Sequence, residues 1–188
     1  QMNIEYKKPD TADPLSLNLF ASDAGRYEGN ADGVFAVNDK LSTGLFLHYS
    51  NENSDHDGND DGFLDTPKKH QFNVMNRWYY QSGQYVSQYG IKFLQDYRTS
   101  GQTHHTLLDK TMEPYEIKVN TNRGEFFTKN AYIINPETSE NIALIFTGAY
   151  HDQKSNYAMR KYDVYNSNLY GSLMYEKALN PMHHLSMG

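Results

Sequence analysis

The sequence contains no cysteine, which excludes a disulfide framework and thiolate metal sites and leaves the compartment open. It has no run approaching the ~18 apolar residues of a membrane-crossing helix, and its mean hydropathy of -0.80 is that of a polar chain. It lacks a basic stripe. With 17 Lys and Arg against 23 Asp and Glu, the net charge is -6, which argues against a nucleic-acid partner because phosphate binding needs clustered cations. No segment shows the 3.6-residue periodicity of an amphipathic helix. There is no nucleophile–base pair, phosphate-binding glycine loop or H-E-x-x-H, so the chain does not read as an enzyme. Leu, Ile and Val are thin.

What takes their place is aromatic. Sixteen Tyr, nine Phe and one Trp make up 14% of 188 residues, the length of one ordinary domain. Aromatic residues favour pleated surfaces, and the main signal along the chain has period 2. Residues 40–50 place Leu41, Thr43, Leu45, Leu47 and Tyr49 on one face and Ser42, Gly44, Phe46 and His48 on the other. The same alternation recurs in 71–80 (Phe72, Val74, Trp78, Tyr80), 85–97 (Tyr85, Tyr89, Ile91, Phe93), 142–150 (Ile142, Leu144, Phe146) and 165–175 (Tyr165, Leu169, Leu173, Tyr175). Further strands are expected over 15–21, up to 37, and over 115–135. The chain opens and closes inside strand-like patterns, as a piece of a longer protein would.

Connections alternate short and long. Turns are expected at 38–39, 81–83, 136–141 and 178–181, and longer polar loops at 51–69, 98–114 and 151–161. Long strands with short turns at one end and longer loops at the other describe a transmembrane β-barrel. A soluble antiparallel sandwich shares the alternation. Against it stand the strand lengths, greater than the usual five or six residues, and the wet second face with Asn166, Asn168 and Ser172. Tyrosines also recur near strand ends (Tyr49, Tyr80, Tyr85, Tyr150, Tyr162, Tyr175), where interfacial girdles belong. The expected fold is all-β, an antiparallel up-and-down meander forming part of such a barrel.

The stretch 55–65 packs five aspartates, one asparagine and two glycines into eleven positions. That density of carboxylate suits a hard cation with six to eight oxygen ligands. Asp57, Asn59, Asp61 and Gly62 fit the opening of the calcium-loop pattern D-x-[DN]-x-[DN]-G, with Asp65 ninth, but the twelfth position holds Lys68 instead of Glu. No helical pattern flanks it, so it is not an EF-hand. A solvated acidic loop is the other reading.

Asn3, Ile4, Glu5 and Tyr6, followed by the linker 7–10, resemble the end of the plug and the entry into the barrel of a TonB-dependent outer-membrane receptor. Asp60, Asp61, Gly62, Phe63 and Leu64, then a strand, then Asp96, Tyr97, Arg98 and Thr99, resemble its vitamin B12 (cobalamin) transporter branch; the richness in Tyr, Asn and Lys resembles the Bacteroides-type version. The resemblance implies that residues 1–10 end the plug and 11–188 form the first part of the barrel, about nine strands of a ~22-strand wall. It implies import of cobalamin across the bacterial outer membrane, with TonB acting through the plug, outer-membrane lipid around the wall and a surface lipoprotein as a lid. It further implies calcium in the outer loops, with Asp55, Asn59, Asp61 and Asp96 as ligands; Asp57 joins them on spacing. Asp109, Glu113 and Glu116 are further carboxylates in the loop after Asp96, without a clear match.

Phe63, Tyr97 and Tyr150 are candidate contacts for a flat corrin face. Eight histidines, among them His48, His104, His105 and His151 near the long-loop end, keep a haem receptor in view, whereas His183 and His184 sit by the short-turn end. Alternative ligands of the same receptor class are haem, an iron siderophore or a glycan. The alternative class is a soluble β-sandwich that binds calcium.

Overall fold

The computed structural model describes residues 8–9, 12–103, 114–180 and 182–188. Nine strands follow one another: β1 (Leu15–Ala21), β2 (Arg26–Asn38), β3 (Leu41–Glu52), β4 (Lys68–Ser82), β5 (Tyr85–Gly101), β6 (Glu116–Asn135), β7 (Glu140–Tyr157), β8 (Arg160–Asn180) and β9 (His183–Met187). They form one sheet in sequence order, each strand antiparallel to the next. The sheet is open, with β1 and β9 as its edges, and no helix occurs among the described residues. The all-β meander expected from the alternation is therefore present. Asn3, Ile4, Glu5 and Tyr6, with most of the segment expected to end the plug, lie outside the described residues, as do His104, His105, Asp109 and Glu113.

At one end of the sheet every connection is short: 39–40, 83–84, 136–139 and 181–182. At the other end 53–67 and 102–115 are long, but 22–25 and 158–159 are tight. The loop expected over 151–161 is thus a strand hairpin with a two-residue turn, and the loop expected from 98 starts only at 102. The cause is composition. In 151–156 the residues are polar on both faces, so the period-2 signal vanishes although the backbone ladder continues from Ile117↔Tyr157 through Arg123↔His151.

The register explains what the two faces do. Cross-strand pairing puts Leu45, Asn76, Ile91, Phe126, Gly148 and Leu169 in one row on the same face. The neighbouring row holds Thr43, Trp78, Tyr89, Thr128 and Phe146. Trp78 and Tyr89 stack with centroids 6.1 Å apart, and Phe126 meets Phe146 at 5.7 Å, cross-strand contacts that add to pairing. This face is a largely apolar belt, interrupted by Asn76, Ser87, Asn130 and Ser167. It runs from Leu41 to Tyr49 in β3 and from Tyr165 to Tyr175 in β8. At ~3.4 Å per residue that is about 27–34 Å along the strand, or roughly 20–25 Å in height for strands tilted ~40–45°. Tyrosines mark its edges: Tyr80, Tyr85, Tyr132 and Tyr175 toward the short turns, Tyr27, Tyr49, Tyr97, Tyr150 and Tyr165 toward the long loops. Tyr162, expected among them, lies on the opposite face.

The opposite face is polar and linked by hydrogen bonds and ion pairs. Asn30 Oδ1 and His48 Nδ1 are 2.8 Å apart, and Glu125 pairs with Arg123 at 2.5 Å and Lys92 at 3.9 Å. Among the described residues the buried apolar side chains are few: Val34, Met75 and Pro9. A domain normally buries its sheet against a second layer, and among the described residues there is none. The accessible surface is 13092 Å², against about 9,200 Å² for a compact chain of this mass. The belt is therefore exposed far beyond the few hundred Å² of apolar patch that a soluble monomer presents.

Candidate functional site at the long-loop rim

The acidic stretch is folded by its own side chains. Asp57 accepts from the backbone N–H of Asp61 (3.1 Å) and of Gly62 (2.8 Å), and Asp61 accepts from Phe63 N–H (2.9 Å). Asn59 donates from Nδ2 to Asp61 (3.0 Å) and accepts from Asp61 N–H (3.3 Å). Asp65 closes the loop by accepting from Gly58 N–H at 2.8 Å. Aspartate and asparagine favour such local turns, and the positive φ of Asp60 (57°) and Gly62 (86°) sharpens the bend. Asp57, Asn59 and Asp61 are thereby gathered as a group of oxygen donors.

The other two expected ligands are held elsewhere. Asp55 pairs with Lys68. Asp96 lies on the polar face of β5, opposite Gln71 and Thr121, with Oδ2 2.8 Å from Arg98 and its buried Oδ1 without a hydrogen-bond partner. Among the described residues no three His, Cys, Asp or Glu side chains stand together as a metal-ligating group. The structure brings together three of the five residues, one of them an asparagine.

Of the candidate substrate contacts, Phe63 sits in the acidic loop, bridged to Gln102, and is exposed. Tyr97 and Tyr150 lie on the apolar face, at the long-loop edge of the belt. His48 and His151 share a polar-face row but stand on β3 and β7, about 19 Å apart at ~4.8 Å per strand, so they are no ligand pair.

The acidic loop is docked on its neighbour. Leu64 N–H donates to Gly101 O (2.9 Å), and Thr103 N–H donates to Gly62 O (2.8 Å). Beyond them Gln102 N–H donates to Tyr115 O and Ala158 N–H donates to Glu116 O, both at 2.8 Å. A lateral run of backbone hydrogen bonds thus crosses the rim from the acidic loop, over the end of β5 and the start of β6, to the β7–β8 turn. Gly101 has φ 118°, and a Cβ there would lie 2.1 Å from Tyr115 O, so only glycine lets these strands close up. Sequence reading missed the set that ends this run: Tyr115, Tyr157 and Tyr162 on the polar face. Their signal was available only as parity, since each falls on the face opposite the belt.

No protein-family model, curated protein or solved structure matches the chain.

Proposed function

We propose that the chain forms part of the wall of an outer-membrane β-barrel of the TonB-dependent receptor class, and that the whole protein imports vitamin B12. The observation that carries the membrane part is the apolar belt. A nine-stranded sheet with one apolar face of bilayer height, tyrosine edges and a hydrogen-bonded polar face has the division of labour of a barrel wall between lipid and a wet lumen. On that reading the belt meets outer-membrane lipid, and Tyr97 and Tyr150 anchor it at the interface instead of touching substrate. The polar face looks into the lumen, where the plug belongs and where TonB acts through it. Strands β5 to β8, of 17, 20, 18 and 21 residues, exceed the ~9–11 needed to cross a bilayer, so they carry the rim outward as a wall for a surface lipoprotein lid to rest on.

The substrate assignment rests on the resemblance, supported by the gathered Asp57, Asn59 and Asp61. Calcium there would supply positive charge that fixes the loop before substrate arrives, lowering the ordering cost of binding. The decisive experiment uses the full-length gene product. Recovery without detergent refutes the barrel. Cobalamin binding that is identical with and without calcium, and identical in Asp61→Ala, refutes the calcium-ordered loop. Absence of cobalamin binding, with haem, a siderophore or a glycan bound instead, would keep the class and change the cargo.

A further inference from the structure

At the far end of the hydrogen-bonded rim, on the polar face, a cavity of about 730 Å³ opens where β7 turns into β8, with Tyr115, Gln153, Ser155, Tyr157, Arg160 and Tyr162 in its lining. We infer that this cavity is a binding site for a flat ring ligand bearing an anionic group, with the tyrosines as stacking surface and Arg160 as the anion contact. The inference rests on the receptor reading above, because that reading makes the polar face the one a ligand can reach.

Three features carry it. The first is that the rings have no packing duty. Tyr115, Tyr157 and Tyr162 are exposed beyond the level of the belt and away from its face, where neither lipid nor a core asks for an aromatic side chain. Tyr157 and Tyr162 meet edge to face at 5.7 Å and 82°, which leaves one ring face open for a further ring to stack on. Such offset and edge-to-face arrangements are the ones aromatic quadrupoles favour.

The second is that the backbone holds them in place. Tyr115 is tied through both its N–H and its C=O to Gln102, each at 2.8 Å. The turn between Tyr157 and Arg160 is fixed by the Ala158–Glu116 bond, with Ala158 at φ 52°. A two-residue hairpin turn takes a positive φ of this kind, and it sets Tyr157 and Arg160 at a fixed spacing on the rim.

The third is the polar complement. Among the described residues Arg160 forms no ion pair, and its planar guanidinium suits carboxylate or phosphate bidentately. Gln153, bonded to the buried Ser155 at 3.0 Å, adds an amide. Three tyrosines with apolar neighbours, a few convergent polar groups and a volume inside the ~300–1,000 Å³ of small-molecule sites make a pocket of this chemistry.

The test measures equilibrium binding of two probes, cyanocobalamin (a corrin with a phosphodiester) and haemin (a porphyrin with two carboxylates), to the detergent-solubilised full-length protein. Folding is checked separately by heat-modifiable gel migration. The expected result is that the Tyr157→Ala/Tyr162→Ala double variant loses tenfold or more in affinity for whichever probe the wild type binds. Arg160→Gln should lose severalfold, and Tyr162→Phe should stay within twofold, since stacking needs the ring and not the hydroxyl. Equal binding by the wild type and both loss variants overturns the inference, as does a wild type that binds neither probe. Loss of haemin binding in a protein that ignores cobalamin would uphold the cavity and remove the vitamin B12 reading. Recovery of the protein without detergent would remove the barrel reading, while the same variants still decide the cavity.

Discussion

A cation placed at the centre of the belt separates a membrane wall from a water-facing sheet by the size of its effect. Ile91 is the residue for it. It lies six positions from Tyr85 and six from Tyr97 on the same face of β5, about 20 Å along the strand from each and roughly 14 Å in height at a ~45° tilt. That is the bilayer midplane if the two tyrosines mark the interfaces. Ile91→Arg should then destabilise the inserted full-length protein by about 2–4 kcal/mol, whereas Tyr97→Arg at the edge should cost about 0–1 kcal/mol. The midplane figure is roughly a 30- to 700-fold change in the folding constant. In water the expectation differs, because Ile91 is already 65% exposed and such surface changes stay within about 0.5 kcal/mol. Denaturant titration of the protein refolded into vesicles, read by tryptophan fluorescence, measures both variants. Equal effects at Ile91 and Tyr97, or an Ile91→Arg protein as stable as wild type, would refute the belt as a lipid face.

Other perturbations test neighbouring parts of the structure. Gly148→Val should cost about 1–3 kcal/mol by overpacking, since even a Cβ at Gly148 would lie 2.2 Å from the Phe126 ring and 2.8 Å from Leu169; the same titration reads it. Asp57→Ala removes the acceptor of two backbone N–H groups and should loosen the acidic loop by about 1 kcal/mol. Hydrogen exchange at 61–63 should rise, and added calcium should slow it in wild type and not in the variant. At the short-turn end the Tyr175 hydroxyl, and then Lys177, hold the Glu140 carboxyl below its ordinary value. The folded state therefore binds that proton more weakly than the unfolded one. The stabilisation is present above the ordinary value of 4.5 and is lost as pH falls through the lowered folded value. Exchange in the β6–β7 turn should accelerate on that acid side, and Glu140→Gln should abolish the pH dependence.

Much of the architecture was legible because two faces of opposite polarity write period 2 into a strand. β1 was expected over 15–21 and runs from Leu15 to Ala21, and the short turns were placed to within one to three residues. Legibility failed where both faces meet the same medium. In β7, 151–156 are His, Asp, Gln, Lys, Ser and Asn, all polar, so nothing in the hydropathy distinguishes this ladder from a loop. The acidic stretch was visible as composition, and its turn-forming Asp57, Asn59 and Asp61 followed from spacing. That Asp55 and Asp96 are engaged by Lys68 and Arg98 could not be read, because the first partner lies across a loop and the second depends on which face Asp96 occupies. The tyrosine cavity was hidden for a related reason. Tyr115 joins Tyr157 and Tyr162 across 40 and more positions, and pairing at that distance leaves no local mark.

The backbone bonds that run from Gly62 and Leu64 through Gly101, Gln102 and Tyr115 to Ala158 make the rim a linked system in the thermodynamic sense. Whatever fixes the acidic loop also limits the freedom of the strand ends that carry the tyrosines, and a second ligand then loses less entropy on binding. Linkage is reciprocal, so if a cation at 57–61 tightens ring binding by some factor, the ring must tighten the cation by the same factor. A receptor built this way would hold its cation most firmly when loaded. Any step that disorders the rim would weaken both ligands together, so release of the cargo would bring release of the ion.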